Sequence, residues 1–141
     1  GINQLLFYAK RNDLDLLYVN QINPIVYKNN TYMVFGQLTT QRTASALQDK
    51  NIVRLILYLN KVIKRALVSF LFEQNDPITW NRAASVVKGI LAQVAAERGL
   101  YWYDVKAGAT EYEIKTKTFH INVIIQPTRV AEKIVLNFIV R

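Results

Sequence analysis

The segment Phe72-Glu73-Gln74-Asn75-Asp76-Pro77 holds the densest group of side chains that could do chemistry. Its two carboxylates suggest a metal site or an acid–base pair. However, no histidine stands nearby, and one turn with two carboxylates supplies neither a ligand set nor an acid paired with a base. Asn75 or Asp76 is better suited to cap a helix, because a side-chain oxygen there accepts hydrogen bonds from the free amides of the first turn. Pro77 fits the first helical position, and we predict a helix start without a metal.

The other candidates for chemistry are a lone histidine and an aromatic run. His120 is the only histidine and lies in a predicted strand, which favours a structural or exposed role. Tyr101, Trp102 and Tyr103 beside Lys106 could stack on nucleic-acid bases, but aromatic strands more often belong to a core. The sequence has no phosphate-binding glycine loop, no Gly-x-Ser-x-Gly turn and no His-rich metal spacing. We therefore predict a protein that is not an enzyme and that uses no cofactor or metal.

Composition limits the class of protein and of partner. The chain has 141 residues and a net charge of +8, which fits one domain and favours an anionic partner such as nucleic acid, a phospholipid surface or an acidic protein. It has no cysteine, which excludes disulfides and thiolate metal sites. No apolar run approaches the roughly 20 residues of a membrane span. The chain begins with glycine and shows no signal peptide, so a piece of a longer protein is one interpretation.

Two helices must position the capped segment, and each has a second face that a core does not explain. The first is predicted from Ser45 or Ala46 to about Phe72, and its apolar face is opposite a basic stripe. At about 100° per residue, the cations of that stripe fall within about 60° of one another. They are Lys50, Arg54, Lys61 and Arg65, opposite Ile52, Ile56, Leu59, Ile63, Leu67 and Phe70. Such a stripe is either a solvated face or a contact with an acidic partner.

The second helix is predicted from Pro77 to Arg98, with Gly99 as the left-handed residue that ends it. Its apolar face is Trp80, Ala84, Val87, Leu91 and Val94, and its opposite side is a strip of small residues, Ser85, Gly89, Ala92 and Ala96. Good helix formers alone could give this strip, but a mid-helix glycine costs about 1 kcal/mol relative to alanine. We therefore predict that another element or subunit packs closely there.

Strands are predicted on both sides of the two helices. A hairpin joins Ile25–Tyr27 to Tyr32–Phe35 through Lys28-Asn29-Asn30, after a short helix or irregular arm and a strand within residues 1–23. Beyond Gly99 the strands are 100–105, an exposed or edge strand 112–118, 119–126 and 133–140. In the last, Ile134, Leu136, Phe138 and Val140 share one face, and the other face is also largely apolar. This pattern predicts cover on both sides, including cover by another subunit.

The order of these parts resembles the C-terminal domain of contractile tail sheath proteins, which form the sheath of contractile bacteriophage tails and related injection systems. The resemblance rests on several fragments in order, of which the Phe-Glu-x-Asn-Asp turn before Trp80 is the most specific. The fragments are Ile22-Asn23-Pro24-Ile25-Val26, Val34-Phe35-Gly36-Gln37-Leu38-Thr39, Asn51-Ile52-Val53-Arg54-Leu55, Leu71-Phe72-Glu73-Gln74-Asn75-Asp76, Ile125-Gln126-Pro127 and Leu136-Asn137-Phe138-Ile139-Val140. It implies a sheath domain over residues 22–141 and an arm, or a connection to a further part, over residues 1–21.

The resemblance implies an α+β fold, in which a mainly antiparallel sheet packs against two long helices and terminal strands are shared between subunits. It also implies a structural subunit of a virion, assembled in the bacterial cytoplasm, that polymerises in stacked rings around a tail tube. Contraction of the sheath would then drive the tube through the host envelope. The implied partners are copies of the chain, the tail tube protein and, at one end, the baseplate, without direct contact to nucleic acid or membrane.

The resemblance also implies contact residues. By position along the chain, the tube-facing helix is 79–98, with Arg82, Lys88 and Arg98 as charged contacts beside the small strip. The basic stripe of the first helix is denser, so both helices remain candidates for the tube contact. The implied inter-subunit strand is 133–141. The alternative function, from a different class, is a small basic α+β module that binds nucleic acid.

Overall fold

The computed structural model describes residue 2, residues 4–43 and residues 45–129 of the chain. Its helices are α1 (Arg11–Val19), α2 (Lys50–Leu67), α3 (Pro77–Ala96) and α4 (Glu111–Lys115). Its strands are β1 (Ile25–Lys28), β2 (Thr31–Val34), β3 (Leu100–Gly108) and β4 (His120–Pro127). Short 3₁₀ turns at Ala46–Gln48 and Val68–Phe70 flank α2. The chain divides into two compact units, Gly1–Leu55 and Ile56–Arg141.

The first unit contains α1 and the predicted hairpin. β1 pairs antiparallel with β2 in the register Ile25↔Val34 to Lys28↔Thr31. Asn29 and Asn30 both have positive φ, 50° and 60°, so they form the type of two-residue turn that matches the twist of a hairpin. The strand predicted before the hairpin is wrong over residues 16–19, because these residues continue α1 to Val19.

The Asn23 side chain fixes the position of the segment that follows the hairpin. Its side-chain amide donates to the Leu38 carbonyl at 2.7 Å and its oxygen accepts from the Leu38 amide at 3.0 Å. Gly36 has φ +148°, and a Cβ there would lie 2.5 Å from the Asn23 side-chain oxygen. One interaction therefore explains residues in both the Ile22–Val26 and the Val34–Thr39 fragments. Asn23 forms hydrogen bonds with the backbone, and Gly36 has no side chain that would clash with it.

Helix α2 has the two faces that its sequence predicts. Ile52 and Leu59 are buried, as is Phe70 in the 3₁₀ turn that follows, and Ile56, Ile63 and Leu67 are half-buried. The cations of the basic stripe are exposed on the other side. The helix was predicted to continue to Phe72, but its last α-helical residue is Leu67, with the 3₁₀ turn Val68–Phe70 beyond it.

The second unit is built on α3 and the ribbon of β3 and β4. Helix α3 packs against β3. β3 pairs antiparallel with β4 from Leu100↔Pro127 to Gly108↔His120, with an irregularity between Leu100 and Trp102. Alternate β4 residues are half-buried and exposed, as expected for a ribbon with one covered face. The buried residues of this unit are Leu59, Phe70, Thr79, Ala83, Ala84, Val87, Leu91, Val94, Leu100 and Val105.

The end of α3 differs in one residue from the prediction. Arg98, not Gly99, has the left-handed conformation, with φ 64°. The amide of Arg98 donates to the Ala95 carbonyl at 2.9 Å and the amide of Gly99 to the Val94 carbonyl at 2.9 Å, which is the Schellman pattern. Gly99 is required for space instead, because a Cβ there would lie 2.8 Å from Val94 Cγ1.

The strand predicted over residues 112–118 is wrong. Residues 111–115 form α4, whose start is a capping box: the Glu113 amide donates to the Thr110 hydroxyl at 3.3 Å, and Glu113 Oε2 accepts from the Thr110 amide at 2.7 Å. This local pairing satisfies two free amides and outweighs the strand preference of Tyr112 and Ile114.

The α+β class and the two long helices are confirmed. The described residues contain two separate two-stranded antiparallel sheets, β1–β2 and β3–β4. The predicted strand 133–140 lies outside the described residues, and so does its sharing between subunits. Within the described part of the chain, no helix is both long and apolar enough to cross a membrane.

The end of α3 gives a stability prediction. Arg98→Gly should raise the free energy of unfolding by about 0.5–1 kcal/mol, because glycine adopts the left-handed conformation without strain. Gly99→Ala should lower it by about 1–3 kcal/mol through the contact with Val94. Gly108→Ala is the matched control, because its Cβ would meet nothing within 4 Å. Urea unfolding measures all three, and equal midpoints for the Gly99 and Gly108 variants would contradict this account.

Candidate functional site

The segment between the two long helices, residues 71–76, is fixed by the cap of α3. The Asp76 carboxylate accepts from the Thr79 amide at 2.8 Å, and Pro77 is the first helical residue. The prediction left open whether Asn75 or Asp76 provides the cap, and the structure assigns it to Asp76. This carboxylate therefore has a structural task, and it also lies at the positive end of the α3 dipole.

Asn75 holds the same segment from the other side. Its side-chain oxygen accepts from Trp80 Nε1 at 2.6 Å, and its amide donates to the Thr118 carbonyl at 3.0 Å. One side chain thus connects the first turn of α3 with the residue two positions before β4. Both hydrogen-bonding ends of Asn75 are used, so this amide fixes the orientation of the Trp80 ring.

Glu73 completes the set of internal contacts. It forms an ion pair with Arg82 Nη1 at 2.9 Å, and the Arg82 guanidinium lies 5.6 Å from the centre of the Phe70 ring. Arg82, predicted as a tube contact, therefore also binds the turn before α3. A partly exposed pair of this kind contributes little to stability, but it sets where the guanidinium lies.

Phe72 differs from the other members of this segment. Its relative exposure is 105%, and its φ is +69°, a left-handed conformation that costs a residue with a side chain about 1 kcal/mol. Glu73, Asn75, Asp76 and Trp80 all have partners within the second unit, whereas no hydrogen bond or ring contact is seen for Phe72 among the described residues.

The outward side of α3 is a nearly uncharged row. Ser85, Gly89, Ala92 and Ala96 are all exposed, and a Cβ at Gly89 would meet nothing within 4 Å. The Ser85 hydroxyl donates to the Asn81 carbonyl of its own helix at 2.8 Å, so it offers no free donor. Ile78 is also exposed and continues the row at the same helical spacing. The sequence pattern did not predict its exposure.

The outward side of α2 is cationic and has no internal compensation. Lys50, Arg54, Lys61 and Arg65 are exposed. Lys64, which was not predicted as part of the stripe, is also exposed and lies one turn after Lys61. None of these five residues forms an ion pair with a carboxylate of the described part of the chain. Each pair of like charges three or four residues apart on a helix costs about 0.2–0.5 kcal/mol, so the stripe weakens α2 slightly.

The remaining predicted contact residues lie on α3, directly after it, or outside the described residues. Lys88 is exposed on α3. Arg98 is the left-handed residue after α3, so its backbone has a structural task in addition to any contact. Ile134, Leu136, Phe138 and Val140 lie outside the described residues.

His120 was predicted to be structural or exposed. It lies at the start of β4, is exposed, and pairs with Glu113, with Nε2 and Oε1 2.7 Å apart. The pKa of Glu113 is lowered from its ordinary value of 4.5, first by the hydrogen bonds from the Thr110 amide and hydroxyl and then by His120. This pair fastens α4 to the ribbon. Across the described residues, no group of three or more His, Cys, Asp or Glu side chains could hold a metal ion.

Three comparisons place the chain among known proteins. No family model matches it. It is 29% identical over 143 residues to the tail sheath protein of Vibrio phage KVP40, an alignment that covers 99% of the chain and 21% of that protein. The chain therefore spans about a fifth of the length of this relative. The resemblance to tail sheath proteins that the sequence predicted is confirmed.

Two solved structures share the fold. A chain in the cryo-EM structure of the anti-feeding prophage baseplate superimposes with a TM-score of 0.88 at 24% identity, over 98% of this chain and 41% of that chain. A chain of the PVC sheath complex, an extracellular contractile injection system in the contracted state, gives a TM-score of 0.86 at 24% identity. This second match covers 96% of the present chain and 41% of the other.

Loss of either side-chain partner in the turn before α3 should destabilise the chain. Asp76→Ala should lower the free energy of unfolding by about 1 kcal/mol, because the Thr79 amide loses its partner. Asn75→Ala should lower it by about 1–3 kcal/mol, because Trp80 Nε1 and the Thr118 carbonyl lose theirs. Gln74→Ala, an exposed neighbour, is the control. Thermal melting tests the set, and an unchanged midpoint for either of the first two variants would refute the assignment.

Proposed function

We propose that this chain is a domain of a contractile tail sheath protein, with a structural and mechanical function and no catalytic one. Copies polymerise in stacked rings around a tail tube, and contraction of the sheath drives the tube through the host envelope. The observation that carries the proposal is the likeness to a phage tail sheath protein along almost the whole chain. The fold shared with chains of contractile injection systems supports it.

The surface of α3 fits this function because it allows close approach. Side chains of one carbon or none along Ser85, Gly89, Ala92 and Ala96 let a neighbouring backbone come nearer than ordinary side chains would. The glycine that makes this possible weakens the isolated helix by about 1 kcal/mol relative to alanine. We propose this row, with Lys88 beside it, as a contact with a neighbouring subunit or the tube.

The charge of α2 fits a second contact. Five exposed cations extend over about 22 Å of helix, at 1.5 Å per residue, without a carboxylate partner in the described residues. Lys50 lies at the positive end of the helix dipole, where a cation is unfavourable. We propose that Lys50, Arg54, Lys61 and Arg65, together with Lys64, face an acidic tube or an acidic neighbouring subunit.

Strand addition is the proposed link between subunits. Among the described residues the β3–β4 ribbon has only two strands, and such ribbons gain stability when further strands pair with their open edges. The alternation of Ile134, Leu136, Phe138 and Val140 suits an added strand. Backbone hydrogen bonds between strands can persist while domains rotate, so this link can survive contraction.

The proposed location follows from the function. The chain is part of a virion tail or of a related particle, assembled in the bacterial cytoplasm, with copies of itself, the tube protein and the baseplate as partners. Nucleic acid and membrane are not among the proposed partners. The competing function, a nucleic-acid-binding module, would use the same basic stripe of α2 and therefore needs a direct test.

Salt separates the two functions. The purified chain should form rings or tubes, visible by negative-stain electron microscopy, that persist between 0.05 and about 1 M NaCl, because strand pairing and apolar contacts are little screened. Its affinity for a duplex DNA 20-mer should be weak at every salt concentration. Monomers by microscopy, together with tight DNA binding that falls log-linearly with salt, would refute the sheath function and favour the nucleic-acid module.

A further inference from the structure

Three residues of the turn before α3 have side-chain partners within the chain. Glu73 pairs with Arg82, Asn75 with Trp80 and Thr118, and Asp76 with Thr79. Phe72 alone extends fully into solvent, at 105% relative exposure. The partners of Glu73, Asn75 and Asp76 within the chain fix the turn and so hold this aromatic ring in a defined outward position.

Two features of Phe72, its exposure and its backbone conformation, are unfavourable in the isolated chain. A fully exposed phenyl ring gains nothing from burial, and a φ of +69° is strained for any residue with a side chain. Strained conformations persist where the surroundings fix them, and they are concentrated at binding sites. Burial of the ring against a partner would recover the apolar term that the chain alone does not use.

The surroundings of Phe72 along the chain are apolar at its side and cationic beyond. Val68 and Leu71 are exposed, at 60% and 62%. The preceding two turns of α2 carry Lys61, Lys64 and Arg65, all exposed and none in an ion pair with a described carboxylate. Val68, Leu71 and Phe72 are close in sequence and all exposed, and we call them the Phe72 cluster. Val68 follows the unpaired Lys64 and Arg65 by one helical turn.

We propose that the Phe72 cluster and the adjoining cations form a docking surface for an acidic protein other than this chain, with the Phe72 ring seated in an apolar socket of that protein. The proposal names the anchor of a heterologous contact and rests on the proposed sheath function, since the assembled particle supplies the partner. Aromatic side chains at the centre of a contact, rimmed by charge, commonly carry most of the binding energy.

Charge decides against a second copy as the occupant. If the same surface of a second copy were the occupant, Lys61, Lys64 and Arg65 would face their own counterparts, and like charges repel. Several of its carboxylates are also already engaged: Asp76 caps α3, Glu73 pairs with Arg82, and Glu113 pairs with His120. An acidic partner has the opposite sign and leaves no cation of the surface uncompensated.

Photo-crosslinking in the assembled particle tests the proposal. The photoreactive residue p-benzoylphenylalanine replaces Phe72 in the full-length parent protein, and in a matched control it replaces Tyr112, another exposed aromatic residue. Electron microscopy first establishes that particles form. Absence of particles from the unmodified parent protein refutes the proposed sheath function. With particles present, irradiation and mass spectrometry report what lies against position 72.

The expected product joins position 72 to a different protein, at a peptide that contains carboxylates and apolar residues, and the Tyr112 control gives a different product or none. A product with another copy of the chain, a product with nucleic acid, or no product at position 72 would each overturn the proposal while leaving the sheath function standing.

A glycine variant separates docking from folding. Phe72→Gly should raise the melting midpoint of the chain by about 3 °C, because the left-handed strain disappears. The same variant should reduce the retention of the crosslinked partner at least about tenfold, as loss of an anchoring aromatic residue does. A lowered midpoint would mean that the ring supports the fold, and unchanged retention would mean that it does not dock; either result would overturn the proposal.

Discussion

The arrangement of the second unit depends on the side chain of Asn75, which joins Trp80 Nε1 to the Thr118 carbonyl. This amide connects the start of α3 with the chain just before β4, while the Asp76 cap begins the helix at Pro77. Once α3 is fixed in this way, its apolar residues pack on β3 and its small residues face outward. The outward row of α3 and the exposed Phe72 are therefore consequences of a turn in which Glu73, Asn75 and Asp76 have partners within the chain.

The two long helices divide the proposed contacts by chemistry. Helix α2 presents cations that repel one another and weaken the helix, so an acidic partner would relieve a strain already present. The outward row of α3 is uncharged and has an open position at Gly89, which suits close packing of backbone rather than electrostatic recognition. A subunit with one surface for an oppositely charged partner and another for close packing is well suited to a layered assembly, in which each copy touches more than one kind of neighbour.

Sequence alone predicted what local chemistry determines. The start of α3 was predictable because Asp76 followed by Pro77 fits the N-cap and the first position of a helix. Both faces of α2 followed from helical periodicity. It failed where two local signals compete: Tyr112 and Ile114 favour a strand, but the Thr110–Glu113 capping box prevails. Long-range contacts were not predictable, because the partner of the Asn75 amide, Thr118, is 43 residues away. The left-handed Phe72 and Arg98 were also missed, since glycine is the residue expected at positive φ.

The outward row of α3 is proposed to be buried when copies of this chain assemble. Because the chain has no cysteine, Gly89→Cys introduces a single thiol into the middle of that row. The rate of its reaction with a maleimide, measured in the isolated chain and in assembled particles, tests the claim most directly. We expect fast labelling of the isolated chain and protection of at least about tenfold in the particle, because a close-packed contact excludes the reagent. Equal labelling rates in both states would contradict it.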